Sequence, residues 1–214
     1  MSADGRDRPA DSGAGLEDWR GVATALASDC LGRFGAMDGG IVPLTGLPLL
    51  GWAATIEVVP GDSATIHRAL TGVRPGSVVM VDAGGGRDRA VWGGVLTAAA
   101  RAAGVVGAVI DGAVRDLAVI RAQGFPVFGR GANPAGPHKA GGGRAGARVS
   151  CGGLVVAAGD LVLGDEDGVV VVPAGELEGV RQAVRDREEL ERRWLARIEA
   201  GEPSASVIGL VETS

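Results

Sequence analysis

Two short apolar runs, Ser77–Val81 and Val105–Ile110, constrain this chain more than anything else in it. Each is continuous, rich in β-branched residues, bounded by glycine and closed by an aspartate, Asp82 or Asp111. Runs of that kind are the pattern of strands buried on both faces, as in a parallel sheet covered by helices. Between them, Arg89–Ala103 has the alanines and the Val91, Leu96, Ala99, Ala100 spacing of a helix packed on a sheet. Strand, helix and strand in that order predict an α/β fold. They bring Asp82, Asp111, Arg115 and Asp116 to neighbouring strand ends, where α/β sheets usually carry their chemistry.

The remaining segments fit around this unit. Asp18–Cys30 is predicted as the first helix, with Trp19, Val22, Leu26 and Cys30 near one face. Gly35–Gly51 is loop-like, broken by Asp38-Gly39-Gly40, Pro43 and Pro48. Ala53–Val58 reads as a strand, Ser63–Leu70 and Leu117–Gln123 as short helices, and Phe125–Phe128 as a further strand. Gly129–Arg148 is rich in Gly and Pro and carries Arg130, His138, Lys139, Arg144 and Arg148. It reads as a long loop, either functional or a solvated connection.

Leu154–Ala157, Leu161–Leu163 and Val169–Val172 are short strands joined by tight acidic turns, with Asp165 and Asp167 as turn formers. They predict a β-layer distinct from the α/β part. Glu176–Ala200 is a charged helix with a thin stripe of Leu177, Val180, Val184, Trp194 and Ile198, either solvated or lying on a neighbouring subunit. Residues 1–15 read as a disordered tail, 16–200 as a single domain and 201–214 as a second tail.

A chain of 214 residues holds one sizeable core. Its net charge of −5 argues against a general nucleic-acid footprint. The two cysteines, Cys30 and Cys151, make neither a disulfide framework nor a metal cluster and read as buried small hydrophobes in a reducing compartment. No apolar run approaches the roughly 18 residues of a membrane span. Met1–Gly15 lacks the apolar centre of a signal peptide. A cytoplasmic protein without a membrane partner is the expectation.

Gly84 and Gly86 fit the first half of G-x-G-x-x-G, but Arg89 fills the last position, so a dinucleotide reading is weak. Gly84 and Gly85 suit a backbone nest for a small anion better. Arg115-Asp116 is either a surface pair or a working one. A strand-end carboxylate can hold a hard divalent ion that keeps several waters, and a guanidinium beside it can clamp a carboxylate in bidentate fashion. His67 and His138 are too isolated for a His-based metal site and read as structural or surface residues.

Several ordered blocks carry a resemblance. They are Val81-Asp82-Ala83-Gly84-Gly85, Arg89-Ala90-Val91-Trp92-Gly93, Val109-Ile110-Asp111-Gly112-Ala113-Val114-Arg115-Asp116, Gly124-Phe125-Pro126-Val127-Phe128, Val149-Ser150-Cys151-Gly152-Gly153 and Gly164-Asp165-Glu166-Asp167-Gly168-Val169-Val170. Over Val79–Val172 the chain resembles the class II 4-hydroxy-4-methyl-2-oxoglutarate / 4-carboxy-4-hydroxy-2-oxoadipate aldolases, a family shared with the regulators of ribonuclease activity A. The resemblance implies a β/β/α swivelling-type fold assembled as trimers or hexamers, with sites at subunit interfaces. It implies Mg2+ or Mn2+ held by Asp116, and Arg115 binding a small 2-oxo acid. The backbone of Gly93, Gly94, Val95 and Leu96 would form the anion pocket, with Val95 and Leu96 N–H groups facing the substrate carboxylate. Asp82, Gly84, Gly85 and Asp111 would support it. The implied chemistry is retro-aldol cleavage to pyruvate, with oxaloacetate decarboxylation as a companion.

One position departs from the family pattern. The aldolase signature is an acidic residue, twenty intervening positions, then Arg-Asp. Counting back from Arg115 lands on Gly94. Three readings stay open: a lyase with impaired aldol cleavage, a member with altered chemistry or substrate, and a non-catalytic regulatory or binding protein.

Overall fold

The computed structural model describes residues 15–210. After a 3-10 turn at Leu16–Trp19 come α1 (Thr24–Cys30), β1 (Val42–Pro43), β2 (Leu49–Val58), α2 (Ala64–Ala69), β3 (Ser77–Asp82), β4 (Ala90–Trp92), α3 (Gly94–Ala102) and β5 (Gly107–Val114). Then follow α4 (Leu117–Ala122), β6 (Val127–Ala132), β7 (Gly143–Ala145), β8 (Val149–Cys151), β9 (Leu154–Val156), β10 (Leu161–Asp165), β11 (Gly168–Val172), α5 (Leu177–Glu199) and α6 (Ser204–Val207). A nine-stranded sheet runs in the order β1-β6-β5-β3-β2-β10-β11, with β4 beside β5 and β7 beside β2. Strands β2, β3, β5 and β6 are parallel neighbours, while β10 is antiparallel to both β2 and β11.

Alternation across the pleat explains the continuous apolar runs. In β3, Val79 and Val81 enter a core shared with α2, α3 and α4, whereas Val78 and Met80 enter a second core capped by β8 and β9. Ala108 and Ile110 of β5 do the former and Val109 the latter. A third core sets Trp19, Ala27, Leu177, Val180 and Val184 against Leu161, Leu163, Val170 and Val172. The outer edge of β11 is not bare. Met37 N–H donates to Val169 O and Val171 N–H to Gly35 O, so residues 35–37 cover it before the chain crosses to β1.

Several expectations are corrected. The first helix is interrupted: Gly21, at φ 77°, separates the 3-10 turn from α1. Arg89–Ala103 is not one helix, because Ala90, Val91 and Trp92 pair with β5 as a fully buried strand and the helix starts at Gly94. Strand β5 does not stop at Asp111 but runs on to Val114. The loop after Phe128 contains the end of β6 and all of β7. Strands β10 and β11 extend the main sheet instead of forming a layer of their own; β8 and β9 alone make a separate hairpin. Residues 1–14 and 211–214 of the expected tails lie outside the described residues, and the chain continues past α5 into α6, which buries Val207.

Candidate functional site

The site is built where β4 and β5 end side by side. Ala90 and Trp92 pair with Ala113 and Val114, and Arg115 N–H donates to Trp92 O at 2.9 Å. The two chains then diverge into α3 and α4. Trp92 is locked there, stacked on Phe125 at 6.3 Å and donating its indole N–H to Thr97 Oγ1, which also reaches Gly93 O.

Asp116 caps the start of α4 at φ 60° and ψ 32°, in the left-handed region that Asp and Asn tolerate better than most residues. Its Oδ2 accepts the Gly94 N–H at 3.0 Å, so one carboxylate ties the starts of both helices together. The Arg115 guanidinium lies 3.6 Å from the same oxygen. Both side chains are about two-fifths exposed, at 40% and 42%. A Cβ on Gly93 would stand 2.8 Å from Asp116 Oδ2 and 3.0 Å from Arg115 Cγ, so a side chain there would push the Asp116 carboxylate or the Arg115 stem aside. A Cβ on Gly94 would make ordinary contact with Asp116, at 3.6 Å, and a tight but adjustable one of 3.2 Å with Val119 Cγ1. The next two N–H groups of α3, on Val95 and Leu96, have no intrahelical acceptor, and Gly93 brings no capping side chain. Val95 and Leu96 are among the residues that line the cleft, beside the positive end of the helix.

Ser63, His67, Pro137 and Lys139 complete a cleft of about 70 Å³ around Arg115 and Asp116. The first two belong to the start and body of α2, the last two to the Gly-Pro-rich loop after β6. That loop is fastened from beneath by Asp62, which is 3% exposed. Its carboxylate accepts N–H bonds from Ala64 at 2.8 Å, Ala140 at 2.6 Å and Gly141 at 3.1 Å. Thr65 Oγ1 donates to Gly142 O, Ser63 N–H to His138 O and Arg89 to Gly136 O. Burial acts to raise the Asp62 carboxyl, but the three N–H donors outweigh it and hold the group below the usual carboxylate range. A lowered folded-state value contributes stability above about pH 3.9, the unfolded value, that is lost as pH falls through the folded one. We expect Asp62→Ala to cost about 1–3 kcal/mol at pH 7 in urea denaturation, as the N–H groups are orphaned. The gap to the parent chain should narrow as pH falls below about 3.9. His67 is pushed below its ordinary value by burial and then by the Lys139 charge, so the imidazole is neutral at neutral pH.

Not every expected residue reaches this cleft. Gly93, Val95, Leu96, Arg115 and Asp116 line it, and Gly94 adjoins it through Asp116. Asp82, Gly84, Gly85 and Asp111 do not line it. Because β5 continues beyond Asp111, Arg115 and Asp116 are carried farther along the sheet. Asp111 pairs instead with Arg130 and accepts Gly152 N–H, while Asp82 accepts Gly84 and Ser150 N–H groups. These two aspartates pin the β8–β9 hairpin. Ser63 and His67 also line the cleft, and the one signal for them in the sequence is a four-residue spacing that puts them on one face of a helix. Among the described residues, no group of three or more His, Cys, Asp or Glu gathers in a metal-holding arrangement. None of the described helices is long and apolar enough to cross a membrane.

Residues 24–171 match the family description RraA-like, Aldolase/RraA. The chain belongs to the RraA-like family. Its relatives include a Halalkalibacterium halodurans protein named "Putative 4-hydroxy-4-methyl-2-oxoglutarate aldolase", 35% identical over 81% of this chain and 83% of that one. Among solved structures, an uncharacterized protein from Pseudomonas syringae pv. tomato superposes with a TM-score of 0.81 at 28% identity, covering 92% of this chain and 93% of its own. The RNA-processing inhibitor RraA from Thermus thermophilus gives a TM-score of 0.65 at 30% identity, over 71% and 92% of the two chains. The mixed sheet and its helices are the swivelling α/β fold of the RraA-like family. Membership supports a general aldolase/RraA-like role and is consistent with lyase chemistry.

Proposed function

We propose that this RraA-like protein is a divalent-metal-dependent lyase of small 2-oxo dicarboxylic acids, which decarboxylates oxaloacetate more readily than it cleaves aldols. The observation that carries the reading is that the Arg115-Asp116 turn and the first turn of α3 line one cleft, with no acid at position 94. Asp116 is the metal ligand in this reading. One carboxylate with water around it suits Mg2+ or Mn2+, which keep most of their waters, and does not suit a zinc site with several protein ligands. A bound ion would supply the electrophile that draws charge onto the oxo group.

The chain's own groups do the rest. Val95 and Leu96 N–H groups orient the carboxylate next to the oxo carbon. Arg115 holds the oxo oxygen, where negative charge grows as the C3–carboxylate bond breaks and CO2 leaves with the pyruvyl fragment as its enolate. Water then protonates C3. No step there needs a base on a hydroxyl group. Retro-aldol cleavage does, and with glycine at 94 the cleft loses a proton-handling group worth about 10²–10⁴-fold. Assembly as a trimer or hexamer in the cytoplasm, with the cleft near a subunit boundary, belongs to the same proposal.

The test is pyruvate release from oxaloacetate and from 4-hydroxy-4-methyl-2-oxoglutarate by purified protein with Mg2+, with and without chelator. We expect the first reaction to be faster and chelator to abolish it. Faster aldol cleavage overturns the ranking, and chelator-insensitive release overturns the metal. A second reading rests on Gly94 too: a regulatory protein that keeps the fold, as the name of the Thermus relative suggests for that protein. Metal binding without turnover across a panel of 2-oxo acids would select it.

A further inference from the structure

We propose that Arg68, Arg87 and Arg89, three unpaired cations outside the cleft, act as an electrostatic funnel that draws dianions towards it and favours them over monoanions. The funnel rests on the reading above for the charge of the substrate and adds no contact to it.

The net charge of −5 conceals a strong asymmetry along the chain. Residues 61–150 carry 11 Arg or Lys against 5 Asp or Glu, in a protein whose totals are 21 and 26. Those five acids offset little of the excess at the surface. Asp62 and Asp111 are buried, Asp82 accepts two backbone N–H groups, and Asp116 faces Arg115. Asp88 is left exposed between Arg87 and Arg89, one acid beside two cations.

The fold gathers part of the excess beside the cleft. Arg68 follows the cleft-lining His67 and lays its guanidinium on Gly141, with Nη2 3.1 Å from where a Cβ would stand. Arg89 precedes β4, whose Val91 and Trp92 line the cleft. Its Nη1 donates to Gly136 O at 3.0 Å, next to the cleft-lining Pro137. Arg87 leans on Gly131 of β6, and its carbonyl accepts the Asn133 side-chain N–H at 2.8 Å. All three side chains belong to exposed residues, and none lies within 4 Å of a carboxylate among the described residues. They border the segments that wall the cleft without lining it.

Charge held just outside a cleft acts through its field. A mouth of one sign, with low-dielectric protein behind it, focuses the potential and raises the arrival rate of counter-ions. The pull on a dianion is twice that on a monoanion. It fades as salt shortens the Debye length from about 30 Å at 0.01 M to about 8 Å at 0.15 M, whereas a short-range contact in a partly buried site is screened much less. Selectivity by charge number and sensitivity to salt are therefore the marks of this arrangement.

The test is kcat/KM for oxaloacetate, with calorimetric affinity for 2-oxoglutarate and for pyruvate, at saturating Mg2+ across a NaCl series from about 0.01 to 0.5 M. We expect Arg68→Gln/Arg87→Gln to lower kcat/KM by about five- to ten-fold at the low end and by less than about two-fold at the high end, with kcat unchanged. Affinity for 2-oxoglutarate, a dianion, should fall in step, and affinity for pyruvate by about the square root of that factor. Arg68→Lys/Arg87→Lys keeps both charges and should match the parent. Arg89 stays in place because it also holds Gly136. An equal salt slope in parent and Gln variant, or a loss that persists at high salt or falls on kcat, overturns the funnel and leaves the lyase reading standing. The expected salt slope for 2-oxoglutarate, without pyruvate from oxaloacetate, sinks the lyase reading alone. Failure of every 2-oxo acid to bind sinks both.

Discussion

Asp116→Asn is expected to lower Mg2+-stimulated pyruvate release from oxaloacetate by about 10³-fold, the scale of several kcal/mol of metal assistance. The fold should survive it. Asn occupies the left-handed region as readily as Asp, so φ 60° at this turn is no obstacle. Its side-chain oxygen can still accept the Gly94 N–H that ties α3 to α4. What the substitution removes is the negative charge. Circular dichroism and a thermal midpoint within a few degrees of the parent, alongside lost turnover and weakened Mg2+ binding, are the expected pair of results. Turnover within ten-fold of the parent would take the metal away from this aspartate.

Gly94→Asp should change the balance of reactions instead of their total. The position has no left-handed backbone to resist a side chain, and its Cβ would meet only Val119 closely, at 3.2 Å. As the first residue of α3, aspartate also suits the positive end of the helix. The new carboxylate would stand beside Asp116, where it can pass a proton through water to or from a hydroxyl on the substrate. Aldol cleavage of 4-hydroxy-4-methyl-2-oxoglutarate is expected to rise by about 10²–10⁴-fold, while oxaloacetate decarboxylation moves far less. The ratio of the two rates, measured on one preparation, is the readout. A proportional change in both, or no gain in cleavage, would mean that position 94 does not govern the chemistry.

What was legible in the sequence, and what was not, follows from the range of the interactions concerned. Ser77–Val81 could be read because burial on both faces writes a continuous apolar run into a short local stretch. The β10–β11 hairpin was likewise visible, but its partner β2 lies far earlier in the chain, and no local pattern announces that pairing. Val91 and Leu96 mimic helical spacing, so the local pattern predicts a helix through Trp92; only contact with β5 makes Ala90–Trp92 a strand. The same limit applies to the site. Arg115-Asp116 stood out as charge placed straight after a buried strand. Ser63 and His67 sit on a helix of six residues and its lead-in, and reach the cleft through docking on a loop some seventy positions later, held by Asp62.

The doubly buried strands at the centre of the sheet leave sequence drift few places to enter. In β2, the half-buried positions Leu50, Trp52 and Ala54 alternate with buried ones and give mutation a more permissive side. Every residue of β5 and all but the last of β3 are enclosed, so neither pleat has a permissive side. Change in this part of the molecule is confined to the strand tips and the turns beyond them. Those turns hold Gly93, Gly94, Arg115 and Asp116, so the cleft can be altered there without disturbing the enclosed strands.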